Sequence, residues 1–139
     1  MTLIIVITSI VIAVIMAIIA TITFFARGGS TILDQEKYRT EWLKIENGLD
    51  KKNAATFQFA LLAADKLLEQ VLIDMKTDGE TFEERIKATK NRFVNGVQLA
   101  AARKITKQLT GKDDSKVNTT LVKRALNAYK KALRELGAI

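Results

Sequence analysis

The chain of 139 residues carries a net charge of +7 and contains no His and no Cys. The absence of these two residue types excludes disulfides, cysteine nucleophiles and thiolate zinc sites, and it removes the commonest general base and metal ligand. About 108 residues follow the apolar N-terminal stretch and its connector, which is enough for one hydrophobic core and too few for two domains.

Charge is distributed unevenly along the chain. The part from Arg27 to Glu84 has 8 basic and 12 acidic residues, whereas the part from Arg85 to Ile139 has 14 basic and 3 acidic residues. Such asymmetry is found in proteins that bind nucleic acid or anionic lipid headgroups, and a solvated basic face is the commoner explanation. Both interpretations stay open at the level of sequence.

The chain begins with an uncharged, apolar stretch from Thr2 to Ala26. As a helix, these 25 residues would extend roughly 37 Å, which exceeds the membrane's hydrocarbon core of about 30 Å. No small-residue cleavage pattern follows the stretch. We therefore predict an uncleaved transmembrane anchor over residues 1–27, a short flexible connector over 28–33 and one helical domain over 34–139.

Basic side chains lie only on the C-terminal side of the apolar stretch, at Arg27, Lys37, Arg39 and Lys44. The positive-inside rule then predicts a single-pass protein of the inner cell membrane. Its N-terminus is expected outside and its domain in the cytoplasm.

Small residues recur at every fourth position of the same stretch and would let a second helix approach closely. They are Ser9, Ala13, Ala17 and Thr21. This spacing predicts self-association in the membrane, although small residues are frequent in any membrane helix.

The apolar spacing predicts an all-α domain, namely an antiparallel bundle of four longer helices and one short one. The predicted helices cover Asp34 to Leu49, Asn53 to Lys76, a short segment from Thr81, Val97 to Leu109, and Thr119 to Leu136. Asn53 is a suitable N-cap, Thr81 and Glu84 form a capping box, and Gly137 is a suitable residue just after the last helix.

The second helix is predicted to carry the main core stripe, which has nine apolar residues between Phe57 and Met75. A further apolar group, Phe59, Leu62 and Ile73, clusters on its opposite side. This second face places the helix at the centre of the bundle or predicts a partner outside it. We interpret the group as a candidate dimer face.

The last helix is predicted to be amphipathic, with Leu121 and Tyr129 among its core residues and basic residues opposite them. Together with the end of the preceding helix, the basic residues predict weak contact with polyanions such as RNA, DNA or anionic lipid. The predicted contacts are Arg103, Lys104, Lys107, Lys123, Lys130, Lys131 and Arg134. Without an aromatic side chain beside them, base-specific reading is not expected.

No pair of carboxylates predicts catalysis. Asp65 and Glu69 are four residues apart, a spacing that polar helix faces carry routinely. Glu83 and Glu84 are explained by the start of the short helix, and we do not expect them to reach the end of the next helix. We therefore predict no catalytic residue, no metal site and no cofactor.

Several short segments between Trp42 and Gly137 form a recognisable series. They are Trp42-Leu43-Lys44-Ile45, Ala64-Asp65-Lys66-Leu67-Leu68, Gly79-Glu80-Thr81 with Glu84-Arg85-Ile86-Lys87, Arg92-Phe93, and Ala132-Leu133-Arg134-Glu135-Leu136-Gly137. The series resembles a family of small membrane-anchored proteins of ultrasmall, candidate-phyla type bacteria, whose soluble part is similar to HEPN helical domains. The resemblance implies a helical fold and a tendency to dimerise.

Members of this family that resemble active HEPN ribonucleases carry an Arg-Asn…His motif at the end of the penultimate helix. The corresponding segment here is Lys104-Ile105-Thr106-Lys107-Gln108-Leu109-Thr110-Gly111, which lacks that motif. The resemblance therefore supplies no catalytic residue.

Two functions follow from these observations. The favoured one is a non-catalytic, membrane-anchored helical scaffold that holds a protein partner, or a second copy of itself as a homo-oligomer, at the inner membrane face. The alternative is a nucleic-acid-binding or degenerate nuclease-like subunit that acts beside an active partner. A protein is the favoured partner because the basic face lacks stacking aromatics.

Overall fold

A computed structural model describes residues 32–109 and 118–139, together with residues 1, 2, 4, 8 and 11–16 near the N-terminus. The chain divides into two units, Met1–Ser30 and Thr31–Ile139. In the first unit, Thr2, Ile4, Thr8 and residues 11–16 are helical, and the Thr8 hydroxyl donates to the Ile4 carbonyl at 3.0 Å.

Among the described residues, no helix has the length and apolar character needed to cross a membrane. Much of the predicted anchor and connector lies outside those residues, at positions 3, 5–7, 9, 10 and 17–31. The transmembrane anchor therefore stays a prediction from the sequence.

The second unit is all-α, as predicted. Its described residues form five α-helices, one 3₁₀ turn at Lys90–Arg92 and no strand. The helices are α1 (Gln35–Asn47), α2 (Ala54–Asp74), α3 (Phe82–Ala88), α4 (Gly96–Leu109) and α5 (Thr119–Glu135). Four of them are long and α3 is short, so the predicted helix set is confirmed, with ends that differ by no more than two residues.

Local hydrogen bonds set where the helices begin. The predicted cap Asn53 accepts from the backbone N–H of Ala55 at 3.1 Å. Thr81 and Glu84 form the predicted capping box, in which each side chain accepts from the other residue's backbone N–H. These bonds satisfy N–H groups that the first helical turn leaves without a partner.

Two helices end in the same way with different residues in the left-handed position. After α5, Gly137 has a φ of +74°, and the N–H groups of Gly137 and Ala138 bond to Arg134 and Leu133. This confirms the predicted role of Gly137. After α2, Lys76 takes that position with a φ of +52°, where a side chain costs about 1 kcal/mol.

The core is centred on α2 and α5. Helix α2 packs against the other four helices, and α5 packs chiefly against α2 and α4. Tyr38, Phe57, Leu68, Tyr129 and Leu133 are among the fully buried side chains. Leu121 was predicted in the core and is instead 43 % exposed, because it lies in the first turn of α5 and lines an open groove between α4 and α5.

Candidate functional site

A network of charged and hydroxyl side chains joins α2, α3, α4 and α5. Asp65 on α2 accepts from the Tyr129 hydroxyl at 2.7 Å and from Arg103 Nε at 3.1 Å. Arg103 Nη1 donates to Glu83 Oε1 at 3.0 Å, and the Lys107 ammonium donates to the same oxygen at 2.6 Å. Two carboxylates and two cations, contributed by α2, α3 and α4, therefore balance one another, with Arg103 and Asp65 mostly buried and Glu83 and Lys107 at the surface.

The network continues into the core through Thr106, which is 4 % exposed. Its hydroxyl lies 2.9 Å from the Tyr129 hydroxyl and donates to the Ala102 carbonyl at 3.0 Å. Because a hydroxyl carries one proton, Tyr129 uses its proton for Asp65, and the single Thr106 proton serves either the Ala102 carbonyl or the Tyr129 hydroxyl. The buried Tyr129 hydroxyl thus has both a donor and an acceptor beside it.

Arg103 holds the short helix α3 against α4. Its guanidinium lies over the Phe82 ring, with a distance of 3.8 Å to the ring centre, and its side chain is only 12 % exposed. Stacking and two carboxylate partners offset the cost of removing this cation from water. The arrangement is typical of a structural clamp.

The pKa values of two members of the network, Glu83 and Tyr129, lie far from neutral pH. The hydrogen bond from Lys107 is the main cause that lowers the pKa of Glu83 to about 2. Burial raises the pKa of Tyr129 well above its ordinary value, and Asp65 adds to the effect. Glu83 therefore stays ionised and Tyr129 stays neutral near pH 7, so neither is suited to general acid–base catalysis.

The position of Glu83 corrects one prediction. We expected it to serve only the start of α3, yet its carboxylate lies 2.6 Å from the Lys107 ammonium near the end of α4. Helix α3 packs so that its first turn faces α4, and the half-exposed Glu83 side chain spans the gap. Glu84, in contrast, caps α3 as predicted.

The structure divides the predicted polyanion contacts into two groups. Arg103 and Lys107 belong to the network, and the half-buried Lys130 bonds to Glu46 on α1. The other four, Lys104, Lys123, Lys131 and Arg134, are exposed, and no salt bridge joins them to a carboxylate within the described residues. The predicted set is therefore not one continuous surface.

A groove of about 590 Å³ separates the outward faces of α4 and α5. Its floor is apolar and consists of Ala101, Ala102, Ile105, Leu121, Ala125 and Ala128. Its polar lining includes the cations Arg124, Lys130, Lys131 and Arg134 and, among the described residues, no carboxylate. We call this feature the α4/α5 groove.

The sequence analysis predicted some residues of this groove as polyanion contacts and did not predict the groove itself. Lys130, Lys131 and Arg134 were among the predicted contacts, whereas Arg124 and the alanines of the floor were not. The sequence does contain small residues on both helices, such as Ala101 and Ala128. They indicate a groove only once α4 and α5 are known to lie side by side.

The predicted dimer face is partly exposed. Phe59 and Ile73 are 71 % and 42 % exposed, and Leu62 is half-buried. Phe59 and Ile73 are fourteen residues apart on α2, or about 21 Å along the helix axis, with Lys66 between them. The three residues therefore do not form one compact patch, and their role in self-association stays a prediction.

The predicted small-residue seam falls largely outside the described residues. Ser9, Ala17 and Thr21 are not described, and Ala13 is helical and exposed. The seam remains a prediction.

The described residues contain no group of carboxylates arranged to hold a metal ion. The chain matches no protein-family model, no curated protein and no solved structure. The likeness to HEPN domains therefore rests on the short segments between Trp42 and Gly137 alone.

Proposed function

We propose that this protein is a non-catalytic, membrane-anchored helical interaction module that holds a protein partner at the inner membrane face. The observation that carries the proposal is the α4/α5 groove. It has an apolar floor and a cationic rim, and it lies beside a core whose own charges are already paired.

The contrast between paired and unpaired cations supports binding over catalysis. Arg103 and Lys107 have carboxylate partners within the fold, whereas Arg124 and Lys131 have none among the described residues. The groove also leaves Ile105 and Leu121 in contact with water, and covering such apolar surface is favourable. A partner would supply both the missing apolar cover and the missing negative charge.

Site-specific photo-crosslinking in cells tests this part of the proposal. A photoreactive residue in place of the exposed groove residue Ala101 should give a crosslinked partner of defined mass. The same residue at Ala100, exposed on another face of α4, is the matched control and should give none. Equal crosslinking at both positions, or none at either, would contradict the proposed docking face.

The membrane attachment rests on the uncharged stretch from Thr2 to Ala26 and on the basic residues that follow it. We expect the full chain to stay with membranes after an alkaline carbonate wash. Protease added to intact cells should leave the bundle uncut until detergent admits it. Release by carbonate, or digestion from outside, would refute the anchor or its orientation.

Two further parts of the proposal are a HEPN-like arrangement of the bundle and self-association. Self-association is supported by the exposed apolar residues Phe59 and Ile73 and by the resemblance to a family that tends to dimerise. Leu62→Asp should weaken association measured by sedimentation of the detergent-solubilised full chain. An unchanged sedimentation profile would show that this face has no such role.

The alternative, binding of nucleic acid by a degenerate nuclease-like subunit, is favoured by the exposed cations Lys104, Lys123, Lys131 and Arg134. Among the described aromatic residues only Phe59 is largely exposed, and it lies on α2, whereas these cations lie on α4 and α5. Electrostatic contact without base stacking predicts weak, sequence-independent binding with a steep salt dependence. Fluorescence anisotropy with single-stranded RNA, and a parallel assay that shows no cleavage, tests this alternative.

A further inference from the structure

The floor of the α4/α5 groove has a shape suited to a helix. Four of its six apolar residues are alanines, Ala101 and Ala102 on α4 and Ala125 and Ala128 on α5. Small side chains let a third helix lie close to two others, toward the lower end of the usual range of about 8–10 Å between axes. Ile105 and Leu121 add larger apolar surface at one end.

The cations are spread along the groove. Arg124, Lys131 and Arg134 lie on one helix, and the first and last are ten residues apart, or about 15 Å along the axis. This length corresponds to nearly three helical turns. An α-helix with an acidic residue on each successive turn would place its carboxylates along the same length as these cations.

We infer that the α4/α5 groove receives an amphipathic helix of a partner protein, with an apolar stripe on the alanine floor and acidic residues facing Arg124, Lys131 and Arg134. The inference rests on the proposed function and names the class of partner. It follows the helix-in-groove mode, in which apolar anchors recur at helical spacing. Charge complementarity would set the orientation of the bound helix.

Other occupants fit less well. A single lipid headgroup concentrates its charge at one point, whereas these cations extend over about 15 Å. A nucleic acid backbone offers repeated charge and no apolar face for the floor. A second copy would present the apolar face of α2, whose Lys66 would meet like charges at the rim.

The test uses the full chain in phosphatidylcholine nanodiscs and a labelled synthetic helix of about 18 residues. The peptide has leucines at positions i, i+3, i+4 and i+7 with glutamates on both flanks. A scrambled peptide of the same composition keeps the charge and loses the apolar stripe. Anisotropy should show saturable binding of the first peptide and at least about tenfold weaker binding of the second.

Two pairs of variants locate the contact. Ala101→Trp fills the groove from an exposed position and should weaken binding at least about tenfold, whereas Ala100→Trp should leave it unchanged. Arg124→Glu with Lys131→Glu should abolish binding. Lys51→Glu with Lys66→Glu, the same change of charge at exposed sites elsewhere, should have a small effect.

Several results would overturn the inference. Equal binding of both peptides, with no effect of Ala101→Trp, would mean that only diffuse electrostatics acts. Displacement of the peptide by phosphatidylglycerol vesicles, with loss of vesicle binding in Ala101→Trp, would assign the groove to lipid. Loss of self-association in Ala101→Trp would assign it to a second copy. Retention after carbonate washing tests the anchor, and crosslinking at Ala101 tests whether any protein occupies the groove, so both test the proposed function separately from the peptide assay.

Discussion

Helix α4 separates a region of paired charges from a region in which cations have no carboxylate partner among the described residues. On one side, Arg103 and Lys107 are bonded to carboxylates, and Arg103 is stacked on Phe82. On the other side, Arg124 and Lys131 line the α4/α5 groove with no carboxylate among the described lining residues. Paired cations of this kind stabilise the fold, whereas solvated cations over an apolar floor are available to a partner.

The difference arises from which helices converge on each side. Helices α2 and α3 bring Asp65 and Glu83 to the first side, so the charges there are neutralised within the chain. In the described part of the unit, no further helix covers the outward faces of α4 and α5. Substitutions on the first side should therefore alter stability, and those on the second should alter binding.

The largest effect on stability is expected for Asp65→Ala. Removing this carboxylate leaves the nearly buried Arg103 with Glu83 alone and takes the acceptor from Tyr129, and breaking such a buried pair costs about 3 kcal/mol. Urea unfolding followed by fluorescence of Trp42, the chain's single tryptophan, measures the loss.

Glu69→Ala, one turn away from Asp65 on α2, is the matched control. It should change the free energy of unfolding by no more than about 0.5 kcal/mol. Similar losses for both substitutions would show that the network does not have the role we assign to it.

Tyr129→Phe should have the next largest effect, about 1 kcal/mol, because it removes one hydrogen bond to Asp65 and leaves the packing of the ring intact. Asp65 keeps its bond to Arg103, and Thr106 keeps the Ala102 carbonyl. The same urea titration measures the change. Unchanged stability would mean that the Tyr129 hydroxyl does not stabilise the fold through the network.

Glu83→Gln should give a smaller and pH-dependent loss. The folded-state pKa of Glu83 is lowered from its ordinary 4.5 to about 2, so its ionic contribution is present above pH 4.5 and is lost as the pH falls to about 2. The half-exposed side chain limits this contribution to below about 1 kcal/mol.

Unfolding titrations of the natural chain and Glu83→Gln at several pH values test this expectation. The difference in unfolding free energy should be constant near neutral pH and shrink progressively as the pH falls from 4.5 through about 2. A difference that persists unchanged at that pH would show that the loss has a non-ionic cause.

The smallest effect on stability, within about 0.5 kcal/mol, is expected for Lys131→Ala at the groove. This variant should nevertheless reduce the salt dependence of single-stranded RNA binding by about one unit of slope, as expected for one lost phosphate contact. Lys107→Ala is the comparison. The Lys107 ammonium is already bonded to Glu83, so removing it should leave the slope unchanged. Equal changes in slope for Lys131→Ala and Lys107→Ala would contradict the distinction between paired and unpaired cations on the two sides of α4.

Helix positions were accessible from sequence because they depend on residues close together in the chain. The Asn53 cap and the Thr81–Glu84 capping box involve partners no more than three residues apart. The apolar period likewise identified α2 and its core stripe. Leu121 shows the limit of this reasoning, because a position on the apolar arc does not show whether a neighbouring helix covers that turn of the helix.

The sequence by itself determined the helical class, the helix starts and the uneven charge, since each follows from composition or from contacts within one helical turn. Only the tertiary structure decided which charges are paired. Asp65 lies about 20° beyond the edge of the core stripe of α2, yet its partners Arg103 and Tyr129 are 38 and 64 residues away. Helix periodicity fixes the direction of a side chain on its own helix, and the packing of helices fixes what that side chain meets.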